Sequence, residues 1–210
     1  MDEAAASAWL DAHVSRETRA VLDAYVNMLV AESHRQNLIS AGSRETILAR
    51  HIVDSAQLAL MADGCTSWLD LGSGAGLPGL VVAIITGQPV VLVEERRLRS
   101  DWLVKVCEDL GLDNVSVKQS RVEQLPAFKT GAICARAFAP LPRLLALAHR
   151  FADEKTLWLL PKGRSAREEL ASVSGTWQGN FRMEPSLTDA ASAIIVARGV
   201  SPLAQHGGRR

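Results

Sequence analysis

A chain of 210 residues with 48% hydrophobic and 22% charged residues is long enough for one sizeable α/β domain plus a short appendage, too short for two full catalytic domains, and gives no compositional case for disorder or a fibre. Lys+Arg and Asp+Glu each number 23, a formal net charge of zero, which argues against a large sequence-wide attraction to nucleic acid, although arginine far outnumbers lysine and suits bidentate phosphate contacts. No apolar run approaches membrane-spanning length, the acidic start Met1-Asp2-Glu3 lacks a signal-like core, and Cys65, Cys107 and Cys134 show neither disulfide-framework nor zinc spacing; the expectation is a reduced, cytoplasmic protein without a metal or a membrane partner.

Val21, Leu22, Tyr25, Val26 and Leu29 recur at helical spacing opposite Arg19, Asp23, Asn27 and Glu32, so residues from about Arg16 to Gln36 read as an amphipathic helix. A second helix starts near Ser43, a good N-cap, and runs through Ile47, Leu48, Ile52 and Leu58 to Met61 before Asp63-Gly64 stops it. His51 and Asp54 fall one turn apart on it with Ser55 beside them; such spacing more often marks a satisfied core histidine than a functional pair. Residues 1–64 are therefore expected to form a helical N-terminal cap.

From residue 65 strands and helices alternate: strand 68–71, helix 78–86, strand 90–94, helix 97–110 capped by Gly111, strands 115–118 and 132–135, helix 141–152, strand 156–160 and helix 165–173. This alternation predicts a parallel, doubly wound sheet. Phe181–Met183 and Ser192–Ala197 read as a final antiparallel edge pair, giving a main domain over 65–200. Residues 201–210, ending Gln205-His206-Gly207-Gly208-Arg209-Arg210, are expected to be a mobile tail.

The segment Trp68-Leu69-Asp70-Leu71-Gly72-Ser73-Gly74-Ala75-Gly76-Leu77-Pro78-Gly79 carries the functional signal. An apolar strand feeds a glycine-dense turn, where the lack of Cβ lets backbone approach a ligand and reach positive φ, and Pro78 suits the first turn of the next helix. Gly74 to Gly79 matches the dinucleotide pattern G-x-G-x-x-G, while the absence of a following Gly-Lys-Ser/Thr excludes an ATP-type phosphate loop. A nicotinamide or flavin dinucleotide and S-adenosylmethionine remain. Asp70 favours the second, because an acid just before the glycines would repel a pyrophosphate but can hold the ammonium of a methionine moiety. Glu94 closes the apolar run Val90–Val93 about twenty residues past the turn, where a carboxylate can accept ribose hydroxyls in either class.

The order and spacing of Asn37-Leu38-Ile39, His51-Ile52-Val53-Asp54-Ser55, the glycine turn, Gln119-Ser120-Arg121-Val122-Glu123, Arg136-Ala137-Phe138-Ala139 and Lys162-Gly163 resemble the small-subunit ribosomal RNA methyltransferase G family, also called glucose-inhibited division protein B. The resemblance covers nearly the whole chain. It implies a Rossmann-like class I S-adenosylmethionine-dependent methyltransferase fold with a helical N-terminal extension. The implied reaction is methyl transfer from S-adenosylmethionine to N7 of one guanosine in 16S ribosomal RNA, within the small subunit or its precursor, by a monomer. By motif, Gly72 and Leu77 would contact the cofactor's methionine side together with Asp70 and Gly74, Glu94 the ribose, and Val122 and Glu123 the adenine. Arg136 would line the pocket shared by cofactor and substrate, and with Arg121 it is the catalytic candidate. Arg121 either touches RNA phosphate or pairs with Glu123 or Glu94, and Lys162 either approaches phosphate or caps the sheet edge. The chain departs from the family's pattern at Glu32-Ser33, Gly131 and Ala191, where many members carry Trp-Asn, an aspartate and a basic residue.

The implied chemistry needs no general base, because guanine N7 carries an exposed lone pair and loses no proton on attack. This fits the lack of an Asn/Asp-Pro-Pro-aromatic stretch after strand 132–135 and of a Pro-Cys pair. Three other readings stay open on the residues alone: a methyltransferase for a small molecule or protein, a dinucleotide-dependent oxidoreductase resting on Gly74-x-Gly76-x-x-Gly79, and a non-enzymatic RNA-binding protein, which leaves the glycine turn without a purpose.

Overall fold

The computed structural model describes residues 1–204. Its first helix, α1 (Glu3–His13), is not signalled by periodicity, since only Ala6 and Leu10 of its side chains are buried; Asp2 caps it by accepting the Ala5 N–H at 2.8 Å. Helix α2 (Arg16–Gln36) matches the expected span, starting at Ser15, whose hydroxyl accepts from the Thr18 N–H, and ending at Asn37 in the left-handed region.

The second expected helix is corrected into three pieces: a single 3₁₀ turn (Ala41–Ser43), a π-helical stretch (Leu48–Val53) and α3 (Asp54–Met61). Ser43 is no N-cap; its hydroxyl donates to the Ser40 carbonyl. Glu3 anchors the π-helix by accepting the Leu48 and Ala49 N–H groups at 3.1 and 2.8 Å, so α1 holds the wide turn in place.

The sheet takes strands β1 (Trp68–Leu71), β2 (Val90–Glu94), β3 (Val115–Gln119), β4 (Ala132–Cys134), β5 (Leu157–Lys162), β6 (Trp177–Pro185) and β7 (Ala193–Pro202) in the order β3-β2-β1-β4-β5-β7-β6. Strands β1 to β5 pair in parallel as expected, but the sheet as a whole is mixed, because β7 pairs antiparallel with both β5 and β6. The run Ile194-Ile195-Val196-Ala197 is fully buried, which requires a place inside the sheet, whereas Gln178, Gly179, Asn180 and Arg182 on β6 tolerate the edge. Strand β7 runs to Pro202 and Leu203 N–H donates to the Thr176 carbonyl, so residues 201–203 are structured rather than tail; residues 205–210 lie outside the described residues.

Alternation along the strands splits the core in two. Trp68, Leu92, Cys134, Leu159 and Val196 face α4 (Gly79–Thr86), α5 (Arg97–Leu110) and the N-terminal helices, through Leu10, Tyr25, Leu29, Ile52 and Leu80. Leu69, Leu71, Ile133, Trp158 and Ile195 face α6 (Leu141–Ala148) and the following turn with Phe151, while the short α7 (Ala166–Ala171) follows β5. The segment 1–64 thus shares one continuous core with the sheet, and the carboxyl ends of the parallel strands stay open.

Candidate active site: two hollows at the carboxyl edge of the sheet

The turn after β1 reaches positive φ at Gly72 (+70°) and Gly74 (+55°). A Cβ at position 72 would lie 2.5 Å from Cδ2 of Phe138, and one at position 79 would overlap Leu92 and sit 2.6 Å from Oδ2 of Asp70. Two side chains with no motif signal fix the outside of the turn: Tyr25 hydroxyl and Trp102 Nε1 both donate to the Ala75 carbonyl, at 3.1 and 2.9 Å.

Asp70 is fully buried beneath the turn and lines neither hollow described below. Its Oδ2 accepts the Gly79 N–H at 3.1 Å, and Oδ1 has no partner. Burial pushes its pKa up to about 6, against the lowering effect of the Gly79 hydrogen bond and of Arg136. Asp70 therefore stands directly beneath the glycine turn, bracing it through the Gly79 N–H. Gly74 and Leu77 also lie outside the lining, Leu77 being buried in the core.

A hollow of about 320 Å³ opens beside the turn, with Gly72, Glu94, Arg121, Val122 and Glu123 in its wall. Glu94 is 5% exposed; Oε2 accepts the Gly74 N–H and Oε1 the Arg96 N–H, both at 2.9 Å. One carboxylate therefore ties the glycine turn to the end of β2 and keeps an acceptor at the hollow. Val122 presents an apolar surface on a single 3₁₀ turn after β3. Arg121 sits 3.7 Å from Glu123 and 3.9 Å from Glu95, so it pairs with Glu123 as one expectation had it, and with Glu95 rather than Glu94.

The second hollow, a cleft of about 1010 Å³, lies between the cap and the β6–β7 turn. Arg136 lines it and not the smaller hollow; its Nη1 donates to the Arg50 carbonyl at 3.2 Å and lies 3.4 Å from Oδ2 of Asp54. The other oxygen of Asp54 accepts from Gln57, Thr188 and Ser186, so Asp54 fastens Arg136 to both walls. Lys162 is engaged with Glu169 at 2.7 Å and the Ala139 carbonyl at 3.1 Å, the edge-capping alternative. Arg50 and Arg164 line the same cleft with no carboxylate within 4.0 Å among the described residues.

His51 donates to or accepts from Ser43 Oγ at 3.0 Å through Nε2, while Nδ1 is buried without a partner. Burial, then Arg136 and Arg50, lower its pKa from 6.5 to about 4. The folded state therefore holds fewer protons than the unfolded chain between those values, and stability is lost as pH falls through that window. His51→Gln should remove a loss of about 3 kcal/mol between neutral pH and the acid limit; urea unfolding at several pH values checks it, and an unchanged acid slope would place the proton elsewhere.

Among the described residues, the two hollows have only Ala137, Phe138 and Ala139 in common. Among the described residues no cluster of His, Cys, Asp or Glu is placed to hold a metal ion, and no helix is long and apolar enough to cross a membrane.

Residues 18–203 match the family described as rRNA small subunit methyltransferase G. Relatives named ribosomal RNA small subunit methyltransferase G include those of Rhizorhabdus wittichii, 52% identical over 96% of this chain and 95% of its own, and of Sphingopyxis alaskensis, 48% identical over 94% and 87%. The fold is also similar to an O-methyltransferase from Bacillus cereus solved in complex with SAH (TM-score 0.59, 13% identity, 83% of this chain and 90% of that one). A SAM-dependent methyltransferase from Aquifex aeolicus is comparable (TM-score 0.57, 16% identity, 73% and 92%).

Proposed function

The chain belongs to the rRNA small subunit methyltransferase G family, and from that premise we propose that it transfers a methyl group from S-adenosylmethionine to N7 of one guanosine in 16S ribosomal RNA, carried within the small subunit or its precursor. The observation that carries this reading is the pair of hollows meeting at a shared partition: the smaller has the glycine turn, the buried Glu94 carboxylate and an apolar cover with arginines around them, and the larger has Arg50, Arg136, Lys162 and Arg164. The first fits the donor. Gly72, having no Cβ, lets Phe138 pack against the turn at the wall of the hollow, Glu94 offers carboxylate oxygens to a ribose, Val122 covers a purine face, and Asp70 places an unpartnered oxygen under the turn.

When bound, the donor supplies an electrophilic methyl carbon on sulfur. Everything else is positioning. N7 attacks with its own lone pair, so no side chain has to take a proton, and the chain's task is to hold nucleophile and methyl in line. Arg136, fixed by Asp54 and the Arg50 carbonyl, brings a cation to the cleft side of the partition. Arg121 stands at the rim of the donor hollow. Residues 1–64 act as the cap that walls the RNA cleft, and residues 65–200 as the donor-binding domain.

The decisive experiment is primer-extension mapping of N7-methylguanosine in 16S RNA from cells with and without the protein; an unchanged pattern rejects the reading. Arg50 and Arg164, which have no carboxylate within 4.0 Å among the described residues, are assigned to RNA phosphate. Replacing each by alanine should reduce the slope of log affinity against log salt for undermethylated small subunits by about one. A slope equal to wild type would remove that arginine from the phosphate contacts.

A further inference from the structure

The partition between the hollows consists of Ala137, Phe138 and Ala139, and only Phe138 carries more than a methyl group there. Methyl transfer between a donor in one hollow and a base in the other has to cross at this ring. Phe138 is half-buried, resting against the Cα of Gly72 in the space a Cβ would fill, and among the described residues no other phenyl, phenol or indole ring lines either hollow. The loop that carries it is held at both ends. Arg136 is bound to Asp54 and to the Arg50 carbonyl, and the Ala139 carbonyl accepts from Lys162. Ala137 between them adopts φ +52°, a conformation residues with a side chain rarely take. That backbone is held where a simple connection would not need it, and its effect is to present the ring at the junction.

We propose that Phe138 is the stacking surface for the target base: the purine lies on the ring from the cleft side and its N7 edge is turned toward the donor hollow. This rests on the methyl transfer proposed above and adds the contact that orients the base. Stacking on an aromatic face is strong, tolerant of base identity and dependent on the π-system. A flat ring therefore supplies orientation, while neighbouring cations hold the phosphates.

The test compares wild type, Phe138→Leu and Phe138→Tyr on small subunits lacking the modification, with donor affinity measured by calorimetry using S-adenosylhomocysteine. Phe138→Leu keeps the apolar volume and should keep thermal stability and donor affinity within about twofold, yet lower kcat/KM for the subunit by about 10- to 100-fold. Phe138→Tyr should restore the rate to within about threefold of wild type. Wild-type turnover by Phe138→Leu overturns the inference alone, as does a Phe138→Tyr rate no better than leucine, or donor affinity that falls in step with the rate. Wild-type protein that methylates no N7 on these subunits overturns the methyl-transfer reading and this one together.

Discussion

Asp70→Asn should make the protein more stable at neutral pH and poorer at holding its donor. The carboxyl is fully buried and its pKa is pushed from 3.8 up to about 6, so the folded state binds the proton more tightly than the unfolded chain. Its contribution is therefore favourable below about pH 4 and is lost as pH rises toward 6, a difference of about 3 kcal/mol for a shift of this size. Asparagine is nearly isosteric, keeps an oxygen for the Gly79 N–H and carries no charge. Burying its amide N–H at the place of the unpartnered Oδ1 cancels part of the gain. A net stabilisation of about 1–2 kcal/mol remains, a rise of about 2–8 °C in melting temperature at pH 7.5 that closes as the pH is lowered to 4. His51 slopes the other way across nearly the same window, so the wild-type profile should be flatter than that of the variant. Donor affinity should fall about tenfold with the loss of negative charge beneath the turn. A variant less stable than wild type at pH 7.5 would show that the carboxylate is neutralised in the fold by something other than a proton.

Glu94→Ala is expected to cost the donor about 100-fold in affinity. The same carboxylate accepts two backbone N–H groups, from Gly74 and Arg96, and faces the smaller hollow. Truncation removes the acceptor proposed for the ribose hydroxyls and also leaves both N–H groups without their partner, which loosens the turn. Charge-assisted hydrogen bonds contribute about 1.5–3 kcal/mol each, so loss of two, partly replaced by water, gives the stated factor. Glu94→Gln keeps an oxygen for one N–H but not the charge, and should fall between the two, about tenfold weaker than wild type. Calorimetric titration with S-adenosylhomocysteine measures both. Equal affinity in wild type and Glu94→Ala would take Glu94 out of the donor site.

The parallel half of the sheet was legible because strands such as Val90–Glu94 are short apolar runs, and this one leads into a helix that stops at Gly111. The position of β7 inside the sheet was not. Its apolar run says that both faces are covered, but a local pattern cannot say between which neighbours. Helix α1 was missed because an alanine-rich segment with two buried side chains has almost no periodic signal. The π-helix was missed because its stability comes from Glu3, some 45 residues away in sequence.

At the candidate site, residue type and spacing pointed to elements that the structure places at the carboxyl edge of the sheet: the glycine turn, Glu94 at the end of β2, Val122 after β3 and Arg136 after β4. These follow from backbone sterics and from the rule that parallel strands open ligand sites at their carboxyl ends. The direction each side chain takes depends on what encloses it. Packing beside Gly79 and Leu92 buried Asp70 beneath the turn, and Asp54 drew Arg136 into the cleft; Phe138 became the wall between hollows because Gly72 has no Cβ to keep it away. Burial, partner and charge state are properties of three-dimensional proximity, so packing across the sheet decided them.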